Sequence, residues 1–320
     1  VEELEFFLER GVVQKDLRND PALDQIHWST TRHTRTDGDW STMRVFAFDH
    51  RVQLEGMGGS SIERGGEFKE LCLKAATQVQ DGQDGYGILC DNRIGKSALH
   101  AASGSGLWIG RPTAWPASRP LTLEPELGSD FGGLHQWARE NVIKCLCFCH
   151  PDDDAETRAD QEATVKRLFE AGRRNNLEFL LEVIPSKVGP VDSNTTATLI
   201  RQFYEAGVYP DWWKLEPMAD AEGWAAAVSA IEENDMHTRG IVVLGLDAPE
   251  EELAASFEVA ASYPLVKGFA VGRTIFGDAA RAWLKGDMND ADAVTQMAAR
   301  YTRLCHVWDA AREKARLNAV

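Results

Sequence analysis

The sequence predicts an α/β fold, a (β/α)8 TIM barrel with an N-terminal helical extension. Three observations predict it: eight short apolar, β-branched segments, helical periodicity between most of them, and a length of 320 residues, which suits one large α/β domain. Strands alternating with helices imply a parallel sheet with right-handed crossovers, and eight such units favour closure over an open doubly wound sheet. No GxGxxG follows the first strand, so the dinucleotide-binding variant of an open sheet lacks its signature.

The first forty residues precede any strand and read as one amphipathic helix, opening VEELEFFLERG, followed by a polar, Thr-rich connector. Strands are expected at Arg44–Asp49, Gly85–Asp91, Leu107–Gly110, Val142–Phe148, Glu178–Ile184, Asp211–Glu216, Gly240–Gly245 and Val266–Val271. Helical spacing marks Glu156–Asn175, Thr195–Ala206, Ala221–Asn234 and Pro249–Ser262. The last of these opens DAPEEE, where an Asp cap, an early Pro and first-turn acids favour a helix start. Arg111–Gly133, rich in Pro and Gly, is a long loop of the kind that shapes active sites. Beyond Arg273 the chain reads as helices that close the barrel. One domain is expected, with residues 1–43 as the extension and 44–320 as barrel and closing helices.

Composition narrows the function. A formal net charge of −16 argues against nucleic acid or an anionic membrane as partner, since either needs a basic face. A local cluster of Lys, Arg and backbone N–H groups could still hold an anionic small molecule. No apolar run is long enough for a transmembrane helix, and the acidic start is not a signal peptide. The six cysteines sit mostly in apolar runs without CxxC pairing, which favours buried thiols, no structural metal and a cytoplasmic protein. The first residue is Val rather than Met, in keeping with a chain cut from a longer polypeptide.

Active sites of such barrels lie at the C-terminal strand ends, and several of these ends carry charge. Asp49 ends the first strand in FDHR, Asp91 the second in CDNR, Lys144 lies within the fourth, Glu182 late in the fifth and Lys214 late in the sixth. Charges in strands this apolar are costly unless paired or used. The chemistry that calls for this set is imine formation, in which a lysine attacks a ketone as the neutral amine. Lys214, flanked by Trp212, Trp213 and Leu215, is the candidate nucleophile, with Lys144 as a second nearby cation or as the nucleophile itself. Glu182 would move protons, and Asp49 would hold a substrate hydroxyl or orient a lysine. Equally, Glu182 could be no more than the salt-bridge partner of Lys144, and Asp49 a turn cap.

A phosphate site is expected where the seventh strand ends LGLDAP and the eighth VGRTIFG. Gly245 and Gly272 permit close backbone approach there, and Arg273 adds a charged contact. Arg93 and Arg111 also stand at strand ends and could serve a second anionic group, with Asp91 as a further substrate-binding candidate. His50 and His150 are the candidate ligands should the chemistry depend on a metal.

Taken in order, FAFDHR, GILCDNR, LWIGRP, VIKCLCFCHPDDD, LLEVIP, YPDWWKLEP, LGLDAPEEEL and KGFAVGRTIFG resemble the C-terminal aldolase domain of the myo-inositol catabolism kinase–aldolase fusion. A more distant likeness is to class I tagatose-1,6-bisphosphate aldolases, whose aspartate, two lysines and glutamate match Asp49, Lys144, Lys214 and Glu182. Gly272 and Arg273 match that family's phosphate-binding pair, whereas LGLD replaces its serine-containing turn. The resemblance implies Schiff-base cleavage of 6-phospho-5-dehydro-2-deoxy-D-gluconate to dihydroxyacetone phosphate and malonate semialdehyde. It implies no cofactor and no metal, with Arg111 or Arg93 on the substrate carboxylate. It further implies a sugar-kinase domain fused ahead of this one. The partner expected is the phosphorylated sugar acid, and a homo-oligomer is expected. Rival readings are a Schiff-base aldolase for another ketose phosphate or a sulfosugar phosphate, a metal-dependent aldolase, and a non-catalytic sugar-phosphate-binding domain that regulates a fused kinase.

Overall fold

The computed structural model describes residues 27–28, 40–57, 62–218 and 220–318. By contact density the chain divides into two units, Val1–Asp37 and Gly38–Val320. In the first, His27 and Trp28 are helical; the rest of the expected N-terminal helix and its connector lie outside the described residues.

The second unit is a closed barrel of eight parallel strands in sequence order, the predicted (β/α)8 architecture. It runs β1 (Met43–Ala47), α1 (Val52–Gly56), α2 (Ile62–Gln80), β2 (Tyr86–Leu89), α3 (Lys96–Ala102), β3 (Trp108–Pro112), β4 (Asn141–Cys147) and α4 (Ala155–Arg174). It continues β5 (Glu178–Val183), α5 (Thr195–Glu205), β6 (Trp212–Leu215), α6 (Ala221–Glu232), β7 (Gly240–Leu244), α7 (Glu250–Ala260), β8 (Val266–Val271), α8 (Arg273–Lys285) and α9 (Asp290–Asn318). Each expected strand is present within a few residues of its expected bounds. The region read as a long loop after the third strand contains two short 3-10 turns, Pro125–Leu127 and Gly132–Gln136.

The expected Asp cap of α7 is absent. Pro249 is the N-cap residue and offers no side-chain cap, while Asp247 sits two residues earlier with φ +67° and turns its carboxylate to Arg273. The first-turn acids Glu250, Glu251 and Glu252 remain, and they favour the helix start through its dipole.

Side-chain alternation along the strands fills the interior. Met43, Val45, Leu89, Trp108, Val142, Leu180, Trp212 and Val242 form the buried core inside the barrel, with Trp108 and Trp212 packed edge to face at 5.9 Å. The outward faces of β4 carry Cys145 and Cys147, and all six cysteines are free and buried.

Closure requires β8 to lie against β1, and their register pairs Met43 with Gly268 and Phe46 with Val271. A Cβ at Gly268 would overlap the carbonyl oxygen of Met43, so the seam needs glycine there. Helix α9 covers this side of the barrel. Tyr301 donates to the Arg44 carbonyl at 2.6 Å, Arg44 pairs with Asp309 at 2.7 Å, and Trp308 packs edge-on against Phe257 of α7.

Candidate active site

Strand parity decides which residues reach the inside. With Val45 and Ala47 inward on β1, the next inward position is Asp49. Inward Val142 is followed by Lys144, Leu180 by Glu182, and Trp212 by Lys214. These four side chains floor a cavity of about 480 Å3 at the C-terminal mouth of the barrel. That size suits a small-molecule ligand.

Glu182 binds one lysine with each oxygen. Lys214 Nζ lies 2.8 Å from its Oε1, and Lys144 Nζ lies 2.6 Å from its Oε2. Both contacts are close ion pairs. Lys144 also donates to Asp49 Oδ2 at 3.0 Å. All four residues are 7% exposed or less, and the set carries two positive and two negative charges.

The charges hold one another in place. Burial pushes the Glu182 carboxyl up, but Lys144 and Lys214 outweigh it and bring it below the ordinary range. Asp49 is likewise opposed by burial and held well below the carboxylate range by Lys144, His50 and Lys214. Burial works against the Lys144 ammonium, yet Asp49 and Glu182 hold its pKa above the usual lysine range. Lys144 is therefore a locked cation between two carboxylates. It acts on Lys214 through the shared Glu182, rather than as the bare second cation expected from sequence. Lys214 has one carboxylate neighbour where Lys144 has two, so it is the freer of the two amines.

His50 stands beside this network, its Nδ1 3.9 Å from Asp49 Oδ1 and without a hydrogen-bond partner among the described residues. Burial, joined by Arg273, Lys214 and Lys144, outweighs Asp49 and brings the imidazole down to about 4. It is neutral at neutral pH.

Gly245, Gly272 and Arg273 line the same cavity on its β7–β8 side. Helix α8 begins at Arg273 with Gly272 as its N-cap residue, so the first N–H groups of a 13-residue helix face the mouth. A Cβ on Gly272 would overlap the Ala47 carbonyl and stand 2.6 Å from the His50 ring. Arg273 pairs with Asp247 at 2.9 Å. Leu246 and Asp247, next in the β7 loop, both have left-handed backbone at φ +48° and +67°. Two successive non-glycine residues in that region cost ~1–2 kcal/mol each, strain of the kind found where a loop shapes a binding site.

Three sequence candidates do not line the cavity. Arg111 lies one residue beyond inward-facing Gly110 and points out of the barrel, where its guanidinium stacks 3.8 Å over Trp137 and donates to Asn141 at 3.2 Å. Asp91 follows the end of β2 and turns outward. One of its oxygens pairs with buried Lys69 on α2, and the other accepts from the Ile94 N–H at 2.7 Å. Arg93 is exposed and lies 5.2 Å over Trp115. Neither Arg111 nor Arg93 is placed to hold a substrate carboxylate.

The cavity instead recruits cations that sequence reading passed over: Arg51, Arg119 and Lys187. Arg51 follows the FDH motif directly, and it ties the β1 loop to the β3 loop through Glu124 and the Ala114 carbonyl. Arg119 comes from the long Pro-rich loop, whose irregular path no periodicity reveals. Lys187 lies just past β5 in IPSK, and only its neighbourhood to a polar strand end could have drawn notice. His150 lies off the cavity, accepting from the Asp152 N–H at 3.2 Å and bonded to the Pro190 carbonyl at 2.8 Å. Among the described residues no three His, Cys, Asp or Glu side chains are grouped to hold a metal ion. Nor is any described helix long and apolar enough to cross a membrane.

Fold and site together define a (β/α)8-barrel protein with a buried lysine–carboxylate network under an open, cation-rimmed mouth. The chain belongs to the family described as an uncharacterized protein conserved in bacteria (DUF2090), whose profile matches residues 3–312. Among solved structures it is similar to fructose-bisphosphate aldolase from Plasmodium falciparum, determined with TRAP and a small-molecule inhibitor. The TM-score is 0.62 at 13% identity, over 90% of this chain and 95% of that one. At that identity the likeness is one of fold. No curated protein matches the sequence.

Proposed function

We propose that this protein is a Schiff-base aldolase that cleaves 6-phospho-5-dehydro-2-deoxy-D-gluconate to dihydroxyacetone phosphate and malonate semialdehyde. The observation that carries the reading is Glu182 held between Lys144 and Lys214 at the floor of the barrel mouth. Three roles follow from this arrangement. Lys214 gives up a proton and attacks the C5 ketone, and Glu182, 2.8 Å away, is placed to take that proton and return it to the departing hydroxyl. Lys144 stays charged and anchors Glu182 and Asp49. After dehydration the protonated imine draws the C3–C4 electron pair into an enamine, while Glu182, a carboxylate again, takes the proton of the C3 hydroxyl as C3 becomes the aldehyde. Glu182 returns that proton to C4, and hydrolysis of the imine then releases dihydroxyacetone phosphate and restores the lysine. The phosphate fits the Gly245, Gly272 and Arg273 side of the cavity, where backbone N–H groups and a guanidinium meet.

The test is intact-protein mass after incubation with dihydroxyacetone phosphate and borohydride. The expected result is one reduced adduct on the parent and none on Lys214→Ala, with turnover in that variant down by a thousandfold or more, ~10³. An adduct that persists in Lys214→Ala transfers the nucleophile to Lys144. The same protein without any adduct, parent and variant alike, refutes imine chemistry.

A further inference from the structure

The cavity keeps one cation that no carboxylate neutralises, on the side away from Gly272 and Arg273. Six cationic side chains line it, Arg51, Arg119, Lys144, Lys187, Lys214 and Arg273, against three carboxylates, Asp49, Glu182 and Asp247. Glu124 and Asp153, behind Arg51 and Arg119, bring the carboxylates to five, so one cation is in excess in a chain of net charge −16. Five of the six cations are already paired: Arg51 with Glu124, Arg119 with Asp153, Lys144 with Asp49 and Glu182, Lys214 with Glu182, and Arg273 with Asp247. Lys187 has no carboxylate or hydrogen-bond partner among the described residues, and it is exposed at the mouth.

Barrel order fixes where this unneutralised charge lies. Gly245, Gly272 and Arg273 follow β7 and β8, whereas Lys187 follows β5 and Arg119 comes from the β3–β4 loop. Lys144, Glu182 and Lys214 occupy the strands between and beneath. The Lys187 turn is also well anchored. The Val188 and Gly189 N–H groups both donate to the Pro185 carbonyl, at 2.8 and 3.1 Å. Ser186 donates its N–H to Glu216 at 3.0 Å, and its hydroxyl pairs with the same carboxylate. On the β3–β4 side of the mouth, Arg119 is held by Asp153 and by the Phe148 carbonyl at 3.2 Å.

We propose that Lys187, seconded by Arg119, forms a second anion subsite that selects substrates carrying a negative group at the end of the chain remote from the phosphate. The proposal rests on the aldolase reading for the position of the reacting carbonyl. It assigns to Lys187 the role of reading the carboxylate that becomes part of the aldehyde product. An ammonium without a carboxylate partner suits this task, because an incoming anion need not displace one.

Calorimetric binding of ribulose 1,5-bisphosphate and ribulose 1-phosphate, which keeps the phosphate beside the ketone and lacks the remote anion, tests the subsite on the full chain apart from catalysis. The parent is expected to bind the bisphosphate about tenfold more tightly or better. Lys187→Ala is expected to lose most of that preference, and Lys187→Arg to retain it. A parent without preference, or a Lys187→Ala protein that keeps it, overturns the subsite. Borohydride trapping of the parent with dihydroxyacetone phosphate is scored beside it. If no adduct forms, the aldolase reading fails, and the binding ratio still decides the subsite.

Discussion

Glu182 is the residue on which the charge balance of the site turns, since each of its oxygens meets a different ammonium group. Replacing it by an amide of the same shape keeps the packing and removes the charge. In Glu182→Gln, Lys144 retains Asp49 as partner and Lys214 loses its carboxylate neighbour altogether. Breaking a buried pair from one side costs ~3–5 kcal/mol, and loss of a placed proton carrier costs ~10²–10⁴ in rate. Both effects are expected, read as a lowered urea midpoint and as a slowed single-turnover rate. A variant that is destabilised yet turns over at the parental rate would reduce Glu182 to a structural ion-pair partner.

Among elements, the β8–β1 seam is the most exacting, because it converts an open parallel sheet into a barrel. Gly268 has no room for a side chain against the Met43 carbonyl. Gly268→Ala must therefore push the two strands apart or break the register that pairs Gly268 with Met43. The expected cost is ~3 kcal/mol or more, in the range of severe backbone collisions, read as a fall in the midpoint of thermal unfolding. An unchanged midpoint would mean that the seam can shift without loss. Gly272 follows that strand directly and hands the chain to α8, so the seam and the Gly272–Arg273 side of the cavity share one support. The β7 loop beside it carries the strained pair Leu246 and Asp247, which places the conformational cost of the site in a loop rather than in a strand.

For the whole molecule, the site leaves a signature in the pH dependence of stability. The unfolded chain protonates His50 near 6.5, whereas the folded protein resists until about 4. The unfolded state thus binds the extra proton between those values, and stability from this source is complete above the upper one and lost as pH falls toward the lower. Asp49 and Glu182, both held low, contribute stability above the carboxylate range and lose it only in stronger acid. Lys144, held high, contributes below its ordinary range and loses its contribution as pH rises through the raised value. Between pH 7 and 5 the titration of this site therefore falls on His50, at about 2 kcal/mol. Urea midpoints are expected to drop further for the parent than for His50→Gln over that interval. Equal drops would show that the imidazole is not shielded from protons in the folded state.

Alternation in the sequence determined the barrel and much of its interior. Apolar, β-branched runs spaced by amphipathic helices leave a parallel sheet little choice, and period two then carries Asp49, Lys144, Glu182 and Lys214 inward once Val45, Val142, Leu180 and Trp212 are inside. The same rule, applied strictly, would have turned Arg111 outward. Its position at a strand end suggests the site, but its parity decides the direction. Asp91 obeys no strand rule, since β2 has already ended and a buried lysine on α2 captures it. What tertiary structure alone decided is which distant loops meet at the mouth. Arg119 and Lys187 are 68 residues apart in sequence and line one cavity. No local pattern encodes that meeting, because barrel closure and the path of an irregular loop bring the two together, and neither is a property of a short stretch of chain.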